Sequence, residues 1–252
     1  LHLSIRRQRQ MCIRDRVDAA RAAFETQGWR RMMPTERTKL MWKLADLMEN
    51  NADELIAMEV MNQGKPVGLA SDLDVYGSIE SLRYYAGWCT KLEGTTTADL
   101  SFPDLRGDDA KGAAYHAYSI REPIGVVGAI VPWNVPLVMA IAKMAPSLAA
   151  GCTIILKPAE ETPLTTLRLG ELVLEAGIPP GVVNIITGYG HTVGAAMAEH
   201  PGIDKIAFTG STEVGKKIVA ASTGNLKKVS MEGLLLPRQQ PPNLPITRVS
   251  GH

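Results

Sequence analysis

The chain has 252 residues, of which 45% are hydrophobic and 21% are charged, a composition typical of a globular protein with a buried core. Its formal net charge of +1 gives no indication of binding to nucleic acid or to an acidic membrane surface. Its three cysteines follow no metal-ligand or CxxC spacing, which argues against a disulfide framework and favours a reducing compartment, by default the cytoplasm.

The first 16 residues differ in composition from the rest of the chain. They contain five arginines and a single acidic residue, Asp15. An organelle transit peptide is also Arg-rich, but this stretch lacks the serine content and the initiating Met of such a leader. We therefore interpret residues 1–16 as a foreign leader, such as translated vector sequence, that does not belong to the fold.

Residues 17–94 are predicted to form a helical amino-terminal region. Apolar residues recur at helical spacing in 17–27, in a segment after Pro34, in 52–62, and through the seventies and eighties. We interpret these stripes as core packing. Residues 95–122 are β-like but poorly patterned, and Pro103 and Gly107 indicate a β-hairpin or oligomerisation excursion.

After residue 122 the hydrophobic period changes. Apolar strand candidates lie at 124–131, 152–157, 182–186, 203–208 and 226–231, and helix candidates lie between them at 136–150, 163–176, 191–199 and 212–222. This alternation predicts an α/β fold in which residues 123–232 form a five-stranded parallel Rossmann-like sheet with helices on both faces. Thr162, which precedes Pro163, is the predicted N-cap of the second helix. Because Lys143 interrupts the longest apolar region, no run reaches the roughly 18 apolar residues that span a membrane.

A polar side chain, Asn134, follows the first of these strands. It lies in a tight turn between Pro132 and Pro136, at the carboxyl end of the strand, where open α/β sheets bind their ligands. Its carboxamide NH₂ could donate to an oxygen that becomes negative during a reaction. The alternative interpretation is a capped turn without a chemical role.

Lys157 and Glu160 follow the second strand and indicate a nucleotide site. Glu160 could accept hydrogen bonds from ribose hydroxyls, and its charge would repel a 2′-phosphate, which favours NAD over NADP. A solvated Lys–Glu pair in a loop is the alternative.

Two glycine-containing segments could complete such a site. Gly188, Gly190 and Gly194 form an imperfect GxGxxG pattern, because the last glycine comes one residue late. A plain βα turn that needs a positive φ at glycine explains the segment as well. Gly210 would let the backbone approach a ligand, and Ser211 with the N–H groups of the next helix could bind phosphate. A helix capped by Ser211 is the alternative.

Four motifs in this order resemble the aldehyde dehydrogenase superfamily over residues 17–232. They stand here as Pro132-Trp133-Asn134-Val135-Pro136-Leu137, Lys157-Pro158-Ala159-Glu160, Phe208-Thr209-Gly210-Ser211-Thr212-Glu213-Val214-Gly215 and Val229-Ser230-Met231-Glu232. The resemblance implies NAD-dependent oxidation of a small or aromatic aldehyde to an acid through a cysteine thiohemiacetal and thioester. It implies that Asn134 is the oxyanion donor and that Glu232 is the general base, with a pKa that an apolar cleft would raise. The cofactor-binding residues that it implies are Val131, Pro132, Trp133, Lys157, Glu160, Gly190, Gly194, Phe208, Thr209, Gly210, Ser211 and Val214.

The chain departs from the family pattern after Glu232. Gly233-Leu234-Leu235-Leu236 stands where the family has Leu-Gly-Gly-Lys, and residues 233–252 form a Pro-rich, unpatterned tail. The resemblance puts the nucleophilic cysteine beyond His252, and neither Cys12, Cys89 nor Cys152 fits that role. We therefore expect the inactive, cofactor-binding half of an aldehyde dehydrogenase whose parent enzyme is a homo-oligomer. The alternative is a non-catalytic NAD-binding module. We expect neither a metal site nor a membrane or nucleic-acid partner.

Overall fold

The computed structural model describes residues 2–26, 28–97, 100–101 and 114–233, with the backbone alone at 2–12, 100–101, 114–115 and 233. Helices come first: α1 (His2–Glu25), α2 (Pro34–Asn50), α3 (Ala52–Gln63), α4 (Val67–Leu69) and α5 (Gly77–Ala86). The segment Ala70–Tyr76, between α4 and α5, is π-helical. The predicted helical stripes are buried, because Leu44, Leu55 and Val75 are fully excluded from solvent.

Helix α1 starts earlier than the sequence predicts. It begins at His2, inside the stretch interpreted as a foreign leader, and Ile13 is buried with Val17 against the sheet. From Ile13 onward, α1 therefore contributes side chains to the core. The foreign origin of residues 1–16 stays a prediction.

A short antiparallel pair follows the helical region. Strand β1 (Leu100–Ser101) pairs with β2 (Ala114–Tyr115), and an isolated antiparallel bridge joins Thr96 to Tyr118. Pro103 and Gly107, on which the predicted hairpin turn depends, lie outside the described residues.

The main sheet has five parallel strands in the order β5-β4-β3-β6-β7. They are β3 (Val126–Ile130), β4 (Thr153–Lys157), β5 (Val183–Ile185), β6 (Lys205–Gly210) and β7 (Lys228–Gly233). The register places Ile130 opposite both Lys157 and Phe208, and Thr209 opposite Glu232. The predicted parallel sheet is confirmed, and the motif residues of four strands meet at its carboxyl edge.

Helices cover both faces of the sheet, as predicted. One face packs against α6 (Pro136–Ala149) and α7 (Leu164–Ala176), and α2, α3 and α5 pack on the outer side of these two helices in the same hydrophobic cluster. The other packs against α1, α8 (Ala195–Glu199) and α9 (Thr212–Ala221). Among the described residues, no helix is long and apolar enough to cross a membrane.

The predicted cap of α7 is wrong. The residue before α7 is Pro163, which makes no side-chain cap, and the hydroxyl of Thr162 donates instead to the carbonyl of Trp133 at 3.3 Å. The N–H of Leu164 donates to Oδ1 of Asn62 on α3, at 3.0 Å. Asn62 on α3 thus replaces Thr162 as the capping acceptor, because an acceptor from a distant helix can satisfy a free N–H at the start of α7 as well as a neighbouring residue can.

Candidate cofactor and active site

The turn after β3 presents Asn134 at the carboxyl edge of the sheet. Val131 and Pro132 are buried, Asn134 is half-buried, and Trp133 is 56% exposed. Oδ1 of Asn134 is buried without a hydrogen-bond partner among the described residues. Its Nδ2 makes no hydrogen bond to a described residue either. The donor end of this carboxamide, Nδ2, is therefore available to a ligand. This availability is compatible with the alternative interpretation, in which the turn has a structural role.

Lys157 and Glu160 form an ion pair at the end of β4. Nζ of Lys157 lies 3.1 Å from Oε2 of Glu160 and donates to the carbonyl of Pro158 at 3.0 Å. Only 2% of the Lys157 side chain is exposed, against 32% of Glu160. The predicted alternative of a solvated pair is wrong for the lysine, because its ammonium is buried and oriented by two acceptors.

The carboxylate of Glu160 carries its charge at neutral pH. Burial raises the pKa of Glu160, but the hydrogen bond from Lys157, together with backbone N–H donors that include Gly190, lowers it further than burial raises it. The N–H of Gly190 donates to Oε1 at 3.3 Å. The glycine segment after β5 is therefore attached to the carboxylate that was predicted to bind ribose.

A cleft of about 420 Å³ opens beside Glu160 and is lined on its other side by Thr187, Gly188 and Tyr189. Gly188 has φ +140°, and a Cβ there would lie 2.5 Å from Cγ2 of Val193. Neither Gly190 nor Gly194 has a positive φ. The positive-φ interpretation of this βα turn therefore holds for Gly188 alone, and the space at Gly190 is open.

The junction of β6 and α9 exposes a helix N-terminus at the same edge. Oγ of Ser211 accepts a hydrogen bond from the N–H of Val214 at 3.4 Å, so Ser211 does cap α9. Because Ser211 is exposed and the first N–H groups of a helix lack intrahelical acceptors, this end can also receive an anion. Gly210 is required here, since a Cβ would lie 2.5 Å from Cζ of the buried Phe208.

Glu232 reaches the site from the edge strand β7. Its Oε1 lies 2.7 Å from Nζ of Lys143, and its Oε2 accepts from the hydroxyl of Thr209 at 3.1 Å. The hydrogen bond from Lys143 lowers the pKa of Glu232, more than its partial burial raises it. The expectation of a raised pKa is therefore wrong in this arrangement, because a cation lies against the carboxylate where the sequence suggested only an apolar cleft.

The aldehyde dehydrogenase family profile matches residues 2–233. The chain belongs to the aldehyde dehydrogenase family. Retinal dehydrogenase 2 of Mus musculus is 52% identical over 218 residues, which cover 86% of this chain and 40% of that protein. Phenylacetaldehyde dehydrogenase of Pseudomonas fluorescens is 49% identical over 219 residues, which cover 86% and 42% of the two chains.

The solved structures agree with this assignment. The NAD⁺ complex of an aldehyde dehydrogenase from Bacillus cereus matches with a TM-score of 0.81 and 46% identity, over 89% of this chain and 43% of that one. This aldehyde dehydrogenase chain thus spans about two fifths of the length of the curated relatives it matches.

The thiols of this aldehyde dehydrogenase chain lie away from the carboxyl edge wherever the structure describes their side chains. Sγ of Cys89, in the turn after α5, lies 3.7 Å from Sδ of Met41 in the helical layer. Cys152 precedes β4 at the opposite, amino-terminal edge of the sheet, and burial raises the pKa of its thiol. Neither described thiol is placed to act with Asn134 or Glu232. No cluster of three or more candidate metal ligands occurs within the described part of the chain.

Sequence reasoning missed two groups of residues at this candidate site. One is Lys143, whose signal was available as the single charge inside the apolar helix α6. The other is a buried group of three charged residues, Glu59, Lys65 and Asp74. Its charged residues fall within a region that we interpreted only as apolar packing.

Proposed function

We propose that this chain binds NAD and supplies the cofactor-binding half of an NAD-dependent aldehyde dehydrogenase. The observation that carries this proposal is the meeting of four motif segments at one edge of the parallel sheet. Asn134, Glu160, Ser211 and Glu232 follow or end four different strands, and parallel strands bring their carboxyl ends together.

The residues present fit a dinucleotide. The cleft beside Glu160 offers a charged carboxylate to vicinal ribose hydroxyls, and the negative charge disfavours a 2′-phosphate. The N-terminus of α9, with Ser211, offers donors to a pyrophosphate. Lys157 is held by Glu160 and contributes a buried positive charge beside the same cleft. These features support NAD over NADP as the cofactor.

The other site residues suit the oxidation of an aldehyde. NAD, when bound, would supply the hydride acceptor for this oxidation. In this proposal, the Nδ2 donor of Asn134 stabilises the oxyanion that forms when a thiolate adds to the aldehyde. Glu232 takes a proton from the water that hydrolyses the thioester. The attacking thiolate would come from outside the described residues, since Cys89 and Cys152 are buried elsewhere.

The substrate class that we propose is a small or aromatic aldehyde, and the proposed setting is the cytoplasm, with a homo-oligomeric parent enzyme. The family resemblance supports the substrate class and the homo-oligomeric parent enzyme, and the sparse cysteines support the cytoplasm. A second candidate function is a non-catalytic NAD-binding module, which the burial of both described thiols favours. Both candidates require NAD binding, so that binding is the first thing to measure.

The test is a calorimetric titration of the purified chain with NAD and with NADP. We expect NAD to bind more tightly, and we expect Ser211→Asp to weaken it, because an added carboxylate repels the pyrophosphate at the start of α9. The matched control is Ser81→Asp, which adds the same charge on α5. Absence of NAD binding by the folded chain, or equal weakening by both substitutions, would contradict the proposal.

A further inference from the structure

Side chains from elsewhere in the chain hold the backbone of the Asn134 turn at two points and the start of α6 at a third. Nζ of Lys65 donates to the carbonyl of Asn134 at 3.1 Å. The N–H of Leu137 donates to Oε1 of Glu59 at 2.9 Å, and the hydroxyl of Thr162 donates to the carbonyl of Trp133 at 3.3 Å. Residues that are distant in sequence thus anchor the turn at Trp133 and Asn134, and anchor the helix that follows it at Leu137.

The anchor at Asn134 itself is a buried ion pair. Nζ of Lys65 lies 2.6 Å from Oδ2 of Asp74, and the two side chains are 4% and 0% exposed. Removing two charges from water costs folding free energy, and a protein is often equally stable when apolar residues of similar volume replace a buried ion pair. Lys65 donates a second hydrogen bond to the carbonyl of Asn134, which indicates that the buried pair serves to hold this carbonyl in place. Asp74, in turn, lies in the π-helical segment, a distortion that is frequent at functional sites.

Helix α3 also connects this turn to the loop that carries Glu160. Oε1 of Glu59 accepts a second hydrogen bond, from the hydroxyl of Thr165 on α7, at 3.2 Å. Asn62 donates to the carbonyl of Glu161 at 3.0 Å and accepts from the N–H of Leu164 at 3.0 Å. One helix therefore sets the position of the carboxamide relative to the ribose-binding loop.

We propose that Lys65, oriented by Asp74, is a positioning residue that keeps the Nδ2 donor of Asn134 fixed at the carboxyl edge before any ligand arrives. This inference rests on the proposed function, in which Asn134 meets an oxyanion. A donor contributes most to such stabilisation when it needs no reorganisation during the reaction. Lys65 and Asp74 act through Asn134 and take no part in the chemistry themselves.

The first test uses the unmodified chain and nuclear magnetic resonance. The signal of the Asn134 side-chain amide is assigned by its disappearance in Asn134→Asp, and its order parameter is measured by ¹⁵N relaxation. We expect a value near that of rigid backbone, about 0.85. The exposed Asn50 at the end of α2 provides the mobile reference. An Asn134 amide as mobile as that of Asn50 would overturn the proposal.

The second test removes the ion pair. Lys65→Met alone leaves a buried, unpaired Asp74 and could unfold the chain, so the decisive variant is Lys65→Met with Asp74→Asn, which removes both charges. In this double variant we expect the Asn134 amide signal to shift and its order parameter to fall. The separate variant Lys65→Arg keeps a cation beside Asp74, and we expect its order parameter to lie between those of the double variant and the unmodified chain. A folded double variant with an unchanged Asn134 amide would refute the positioning role.

The matched control is Arg21→Met, which breaks the 2.7 Å ion pair between Arg21 and Asp204 near the opposite edge of the sheet. This variant should lower the melting temperature without moving the Asn134 signal. If it moves that signal as much as the double variant does, Lys65 has only a general structural role. None of these readouts needs NAD or an aldehyde. A negative result in the amide measurements would therefore contradict the positioning role of Lys65 without affecting the test of NAD binding. A chain that does not bind NAD would contradict the proposed function, and the amide measurements would still be valid.

Discussion

Lys143 and Glu232 join the middle of helix α6 to the edge strand β7 through a 2.7 Å ion pair. The lysine side chain is 7% exposed and the glutamate side chain is 62% exposed, so a buried cation holds a solvent-facing carboxylate. This contact lowers the pKa of Glu232 and keeps the carboxylate ionised. An ionised carboxylate can accept a proton, but Lys143 makes it a weaker base.

Lys143→Met should raise the pKa of Glu232, because the main hydrogen bond that stabilises its charge is lost. The measurement is a ¹³C titration of the Glu232 carboxyl in the purified chain. The control is Lys217→Met, which breaks the exposed 2.7 Å pair between Lys217 and Glu213 on α9 and should leave Glu232 unchanged. In the unmodified chain, a lowered folded-state pKa contributes stability above the unfolded pKa, and this contribution is lost as the pH falls through the folded value. An unmoved Glu232 titration in Lys143→Met would show that the pair does not persist in solution.

Glu160→Gln should weaken NAD binding modestly and narrow its preference over NADP, because the charge that would repel a 2′-phosphate is removed. The affinities of both dinucleotides for the chain are measured by titration. Glu161→Gln is the matched control, since it removes the neighbouring charge on the same cleft. If the ratio of the two affinities stays the same in Glu160→Gln, or changes equally in both variants, Glu160 does not face the ribose.

Glu59→Gln should flatten the dependence of stability on pH. Burial is the main cause that raises the pKa of Glu59, and Asp74 adds to it, whereas the N–H of Leu137 and the charge of Lys65 lower it only in part. A raised folded-state pKa gives stability that is present below the usual value of 4.5 and is lost as the pH rises through the folded pKa. Glutamine keeps the acceptor for Leu137 and cannot ionise.

The check on Glu59 is the urea midpoint of unfolding at several pH values from 4 to 8. We expect the unmodified chain to lose stability across this window relative to Glu59→Gln. Glu54→Gln, which removes an exposed partner of Arg168, serves as the control and should not change the slope. Parallel curves for all three proteins would mean that Glu59 titrates alike in the folded and unfolded states.

The chain by itself should form no NADH from aldehydes. Hydride leaves readily only from the adduct that a thiolate makes, and both described thiols are buried away from Asn134. Absorbance at the NADH band is followed with excess NAD and a panel of small and aromatic aldehydes. Clear turnover that Cys89→Ala or Cys152→Ala abolishes would mean that the nucleophile has been misplaced.

The alternation of apolar runs was sufficient to predict the parallel sheet. Each of the five predicted strands lies within two residues of the observed one. For β3 and β4 the reason is burial at every position, which makes a strand apolar almost throughout. The order of the motifs was likewise sufficient to place Asn134, Lys157, Ser211 and Glu232 at strand ends. Both inferences depend only on which residues are buried and on where each strand ends, and the local pattern of apolar and polar residues indicates both.

Tertiary structure alone decided which distant groups meet. Leu164 takes its acceptor from Asn62, 102 residues away, where local rules predicted Thr162. The carbonyl of Asn134 is held by Lys65, 69 residues away. The direction of the Glu232 pKa shift depends on Lys143, which reaches it across the carboxyl edge of the sheet. Hydrophobic periodicity specifies that a residue is buried, but not which polar partner the folded chain brings to it, since that choice depends on the packing of whole helices against the sheet.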